Sequence, residues 1–190
     1  VVSIVMSVYN GESYLNESIE SILNQNFREF ELIIINDGST DRSLQIMNSF
    51  VDPRIKIYDQ INMGLTKSLN NGIKISKGKY IARLDADEIA LPTRLSEQGK
   101  ILDKFPEIGV VGSFSIDFDK TDQNISKTIT LPVNDHEIRK AMIWKNPFVH
   151  GSVMIRKKAI ESVGYYNESF KYVQDYELWG RIAKLYKLQN

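Results

Sequence analysis

The sequence predicts an α/β protein, a mostly parallel sheet with helices on both faces, and three observations carry that prediction. Short, continuously apolar, β-branched runs recur at residues 1–8, 30–35, 55–58 and 79–84, the pattern of strands buried on both faces. Segments with helical spacing alternate with them, as in a sheet built from strand–helix–strand units. Polar residues gather just after the apolar runs, where open parallel sheets bind their ligands.

The elements follow in order. After the strand at 1–8, residues 13–25 show helical spacing through Tyr14, Ile19, Ile22 and Leu23. The strand at 30–35 runs into Asn36-Asp37-Gly38-Ser39-Thr40-Asp41, which is turn and helix-cap chemistry. A helix to about residue 50 and a strand at 55–58 come next. Leu65, Leu69 and Ile73 mark another helix, closed by Gly78 before the strand at 79–84. Pro92 suits the first turn of a helix reaching about residue 105, and Val110-Val111-Gly112 begins a further strand. The second half is more irregular. Residues 114–118 and 125–131 read as strands around the polar stretch 119–124, residues 135–143 as a helix, 153–155 as a short strand and 174–186 as a terminal helix. We expect one domain, with a nucleotide-type half over about 1–112 and an irregular half over about 113–190.

Composition narrows the function. With 190 residues, 42% of them hydrophobic, the chain can bury a sizeable core. Lys+Arg and Asp+Glu are equal at 24 each, so no overall field favours nucleic acid or an anionic membrane. The absence of cysteine excludes disulfides, thiolate metal ligands and a cysteine nucleophile, and it suits a reducing, cytoplasmic setting. No apolar run is long enough to span a bilayer, and no signal-peptide pattern is present. The chain starts inside an apolar run and stops inside a helical pattern, so it reads as a segment of a longer protein. Any membrane association, at the cytoplasmic face, would come through regions outside it.

The most informative stretch is Leu84-Asp85-Ala86-Asp87-Glu88, three carboxylates within four residues after an apolar run. In an extended backbone residues i and i+2 share a face, so Asp85 and Asp87 are expected to converge. Paired carboxylates repel unless a cation or proton donor sits between them. Mg²⁺ and Mn²⁺ favour oxygen ligands, commonly one or two carboxylates plus substrate phosphates. A solvated acidic turn is the competing reading. The strand-edge rule adds Tyr9 and Asn10 from the first strand and Asn36 and Asp37 from the second, so three segments deliver polar groups to one edge. A phosphorylated ligand with a divalent ion suits that edge, with Asp37 accepting from a base N–H or a sugar hydroxyl. Gly11 stands without G-x-G-x-x-G, and no G-x-x-x-x-G-K-[ST] occurs, which points away from NAD enzymes and P-loop ATPases.

Taken as an ordered set, these motifs resemble family 2 glycosyltransferases. The set is Ser7-Val8-Tyr9-Asn10, Ile35 through Asp41, Asn62-Met63-Gly64, Leu69-Asn70-Asn71-Gly72-Ile73, Gly78 through Asp87, Asn146-Pro147-Phe148-Val149-His150-Gly151-Ser152 and Gln174-Asp175-Tyr176-Glu177-Leu178-Trp179. The resemblance covers nearly the whole chain. It implies the GT-A fold, a Rossmann-like, mostly parallel sheet, and a nucleotide-sugar donor with inversion at the anomeric carbon. It also implies that Tyr9 and Asp37 line the base and ribose pocket, that Asp85 lies near the ribose and metal-bound diphosphate, and that Asp87 is the metal ligand proper. Asp175 matches the general base. Glu88 stands where the family often has Asp, and Gln174 where it frequently has Glu. The expected cofactor is Mn²⁺ or Mg²⁺. The expected partners are a donor, taken as a UDP-sugar, and a saccharide or lipid-linked glycan acceptor.

Other candidates stay open between two roles. His150 can meet a phosphate, the metal or the acceptor, or make a structural hydrogen bond. Arg83 can reach a phosphate or form a buried ion pair. Trp179 can stack on a sugar, although Leu178, Ile182 and Leu185 mark its helix as core. His136, Lys67 and Lys74 read as solvated surface. The sequons at Asn16, Asn124 and Asn167 read as chance matches. Two rival functions remain. A nucleotidyltransferase would want a glycine-rich basic loop after the first strand, where this chain has Asn10-Gly11-Glu12-Ser13. A non-catalytic nucleotide- or glycan-binding module would not require Asp85, Asp87 and Asp175 together.

Overall fold

The computed structural model describes residues 1–118 and 126–190. The expected polar stretch at 119–124 and the Asn124 sequon therefore lie outside the described residues. The first half alternates as the sequence predicts: β1 (Val2–Val8), α1 (Leu15–Leu23), β2 (Phe30–Asp37), α2 (Ser43–Ser49), β3 (Ile55–Gln60), α3 (Leu65–Ile75), β4 (Tyr80–Arg83), α4 (Arg94–Lys104) and β5 (Ile108–Val111). The second half adds the hairpin β6 (Ser115–Phe118) and β7 (Ser126–Ile129), then α5 (Asp135–Ala141). A 3-10 turn (His150–Ser152) leads into β8 (Met154–Arg156), α6 (Lys157–Val163), α7 (Gln174–Ile182) and β9 (Lys187–Gln189).

Seven strands form the main sheet in the order β3-β2-β1-β4-β8-β5-β9. β1 to β4 are mutually parallel, which puts their carboxyl ends on one edge. β8 runs antiparallel to both β4 and β5, between which it is inserted. Strand alternation explains the three layers. Val2, Ile4, Met6 and Val8 of β1 pack with α1 and α4 through Leu15, Ile19, Ile22, Leu95 and Leu102. Val5 faces the other way, with Leu69 and Ile73 of α3, Ile160 of α6 and Leu178, Trp179 and Ile182 of α7. Gly72 lets α3 lie close on β1, since a Cβ there would come within 2.5 Å of Val5 Cγ1.

Several boundaries differ from expectation. β2 continues through Asn36 and Asp37, which pair with Asp59 and Gln60 of β3 as ladder residues before the turn begins. Pro92 precedes the first residue of α4, and its carbonyl accepts the Asn26 N–H at 2.9 Å. The terminal helix ends at Ile182, followed by β9. That strand is three residues long, and it is held by buried Leu188, whose N–H donates to Asp135 Oδ1 at 2.9 Å. Helix α6 was not expected at all. Among the described residues no helix is long and apolar enough to cross a membrane.

Candidate functional site

The edge where β1, β2 and β4 end is laced together by side chains. Asn10 adopts φ 54, a conformation that Asn tolerates better than most residues. Its Oδ1 accepts from Thr40 N at 2.8 Å, while its own N–H donates to Ser39 Oγ at 3.1 Å. Gly11 N donates to Ser43 Oγ and Glu12 N to Asp41 Oδ2. The side-chain oxygen of Asn10 is thus spent on shaping the loop. Beside it Tyr9 stays 55% exposed, with its ring open to a flat ligand.

Asp37 closes β2 at this edge. It is 2% exposed, and its carboxylate accepts from Gln60 Nε2 (2.8 Å), Met63 N (2.8 Å) and Gly64 N (2.9 Å). The carboxylate therefore clasps the β3–α3 loop. Asp37→Asn should lower stability by about 1–3 kcal/mol, because an amide NH₂ would then oppose a backbone N–H. Urea unfolding checks this, and an unchanged midpoint would overturn the clasp.

The acidic motif sits differently from expectation. β4 stops at Arg83, and residues 85–88 form a turn closed by Glu88 N donating to Asp85 O at 3.1 Å. The alternation argument for Asp85 and Asp87 therefore does not apply. Asp87 is exposed at the turn, whereas Asp85 is half-buried. Arg83 resolves as the buried ion pair rather than a phosphate ligand. It is fully buried, its Nη2 meets Asp85 Oδ1 at 2.5 Å, and its Nη1 donates to the Val5 and Leu84 carbonyls. Burial opposes the ionised form of Asp85, but Arg83, with smaller help from His150, outweighs it and holds the carboxyl below the usual range. Glu88 folds back onto Asp85 N at 3.2 Å and packs against Gly151. Burial, then the charge of Asp85, raises its pKa. Arg94, whose Nη2 donates to Arg83 O at 2.6 Å, is pushed down to about 10 chiefly by burial.

From the second half, His150 Nε2 lies 2.8 Å from Tyr166 Oη. Burial and the nearby Arg83 push the imidazole down to about 4, so it is neutral at physiological pH. Asp175, in the first turn of α7, accepts from Asn146 Nδ2 at 2.5 Å. Asp85 and Asp175 both act on His150 and on Tyr166. The end of β4 and the start of α7, 90 residues apart in sequence, therefore share one charged neighbourhood. Trp179 does not join it as a sugar platform. It is 0% exposed and packs edge-on to Phe148 at 5.4 Å between centroids, so no ring face is available. Arg94 and Tyr166 escaped the sequence reading because only tertiary packing brings them to Arg83 and His150.

Among the described residues no three His, Cys, Asp or Glu side chains cluster as a self-sufficient metal cage. Sites of the other kind take one or two protein carboxylates and complete the shell with substrate phosphates, and Asp85 and Asp87 are the aspartates of the turn after β4.

The glycosyl transferase family 2 profile matches residues 3–164. An uncharacterized glycosyltransferase of Haemophilus influenzae is 37% identical over 202 residues, covering 100% of this chain and 62% of that protein. The amylovoran biosynthesis glycosyltransferase AmsE of Erwinia amylovora is 32% identical over 188 residues, covering 96% and 70%. The chain spans about three-fifths of the length of the first relatives it matches. Two solved structures share the fold. S. aureus TarS 1-349 gives a TM-score of 0.78 at 21% identity, covering 99% of this chain and 57% of that one. A Pyrobaculum calidifontis mannosyltransferase, in complex with GDP-Man and Mn²⁺, gives 0.77 at 16%, covering 100% and 54%. Both are GT-A enzymes, and the sheet described above has the same architecture. The chain belongs to glycosyl transferase family 2.

Proposed function

We propose that this chain carries the catalytic domain of an inverting, metal-dependent glycosyltransferase that moves a sugar from a UDP-sugar to a hydroxyl of a saccharide or lipid-linked glycan. The reading is supported by two separate carboxylate positions, Asp85 and Asp87 in the turn after β4 and Asp175 in the first turn of α7, where Asn146 Nδ2 holds it at 2.5 Å. One carboxylate group stands at the donor edge, and a separate carboxylate belongs to the acceptor-side half. Residues of about 1–112 hold the donor, with Tyr9 against the base, and residues of about 113–190 meet the acceptor. The acceptor hydroxyl gives its proton to Asp175 as its oxygen bonds to the anomeric carbon from the face opposite the leaving group. The bond from that carbon to the diphosphate breaks, and the electron pair leaves with the diphosphate. A divalent ion held by Asp87 and Asp85 would supply charge neutralisation for that leaving group. Relatives support the setting: one is named for amylovoran biosynthesis, and structural neighbours are described with UDP-GlcNAc and with GDP-Man and Mn²⁺.

Calorimetric titration with UDP, GDP and dTDP tests the donor edge. UDP should bind tightest, and Mn²⁺ should improve its affinity by at least about tenfold, or 1.4 kcal/mol, over EDTA. Equal affinity in Mn²⁺ and EDTA would remove the metal, and failure of all three nucleotides to bind would remove the site. A transfer screen across UDP-, GDP- and dTDP-sugars then identifies the donor.

A further inference from the structure

We infer that Asn146 is a positioning residue that fixes the carboxylate of Asp175 and leaves one of its oxygens for the acceptor proton. The inference rests on Asp175 being the base. The amide of Asn146 is oriented from its other end: Oδ1 accepts the Phe148 N–H at 3.2 Å, so Nδ2 is the atom that faces Asp175 Oδ2 at 2.5 Å. The frame behind it is stiff. Pro147 holds Asn146 to extended backbone, and its carbonyl accepts from Asn190 Nδ2 at 3.0 Å. Phe148 is 4% exposed against Trp179. A second tie on the same segment runs from Tyr176 Oη to the Met142 carbonyl. Residues 142–148 thus grip the first turn of α7 at two points.

That turn needs an outside grip. Helix α7 starts from Val173 at φ 54, a left-handed conformation that is strained for a β-branched residue, and no side chain caps it. Among the described residues, Asn146 is the hydrogen-bond partner that holds the Asp175 side chain from outside its own helix. A general base must lie within hydrogen-bond reach of the proton it takes, in one orientation. The amide supplies that orientation through Oδ2 and leaves Oδ1 to the substrate.

Asn146→Asp is the discriminating variant. It keeps an acceptor for the Phe148 N–H and replaces only the donor that faces Asp175. Two carboxylates then oppose each other, so the melting temperature should fall. The reciprocal swap, Asn146→Asp with Asp175→Asn, should restore it while remaining inactive. With the donor found in the screen, Asn146→Asp should lose roughly 10²-fold in turnover, the scale of a misplaced reacting group. The Kd for UDP with Mn²⁺ should stay unchanged. Asn146→Ala, which removes both bonds, serves if the first variant does not fold and should show the same split between turnover and binding. An unchanged melting temperature in Asn146→Asp would overturn the contact. Turnover within about threefold of the parent, beside an inactive Asp175→Asn, would overturn the positioning role. Should Asp175→Asn itself stay active, the base assignment falls, and the melting temperatures alone judge the contact.

Discussion

Asp175→Asn will cut sugar transfer by about 10²- to 10⁴-fold, the usual contribution of a positioned general base, while donor affinity stays within a few-fold of the parent. Asn preserves the size of the side chain and a hydrogen-bonding oxygen, but cannot take up a proton at neutral pH. The residue sits in the first turn of α7, in the second half of the chain. Its loss should therefore act on the step that moves the acceptor proton and leave the donor edge intact. Equal falls in turnover and in turnover over KM, with donor Kd unchanged, mark an interaction made in the transition state. Asp87→Asn should behave differently and weaken Mn²⁺-dependent UDP binding as well as rate. Steady-state kinetics alongside calorimetry make the comparison. Transfer by Asp175→Asn at close to the parent rate would end the mechanism given above.

The largest effect on stability is expected at Arg83. Replacing Arg83 by Met should cost about 3–5 kcal/mol, as for breaking a buried pair by removing one partner. The guanidinium is fully buried, it donates to the Val5 and Leu84 carbonyls, and it neutralises Asp85. Adding Asp85→Asn should recover part of the loss, because it removes the uncompensated charge. The acid dependence gives a second reading. A carboxyl held below its ordinary 3.8 in the fold adds stability above that value and loses it as pH falls through the folded value. The parent should therefore lose stability in strong acid through Asp85, and Arg83→Met should lose less over the same range. Urea unfolding at pH 7 and in acid measures both. A parent-like midpoint for Arg83→Met at pH 7 would show that the pair stabilises nothing.

The sequence alone predicts the alternating elements of the first half, because strands buried on both faces and amphipathic helices are written in short-range patterns of apolar residues. It also predicts which edge collects the polar groups, since parallel strands must end together. The acidic motif and Asp175 were legible as residue types in an ordered series of motifs. What each side chain touches came with the folding of distant segments onto one another. Asp37 became a loop clasp because the chain returns over it at Met63 and Gly64. Arg83 became a buried pair because β1 and β8 flank β4 inside the sheet, and Trp179 became core because α7 packs its indole against Phe148. β8 enters the sheet from more than 70 residues beyond β4, and β9 is three residues long, so neither placement leaves a local pattern. The meeting of Asp85, His150, Tyr166 and Asp175 has the same origin. Periodicity and turn chemistry act over a few residues, whereas a site built from the end of β4 and the start of α7 exists only once the sheet between them has closed.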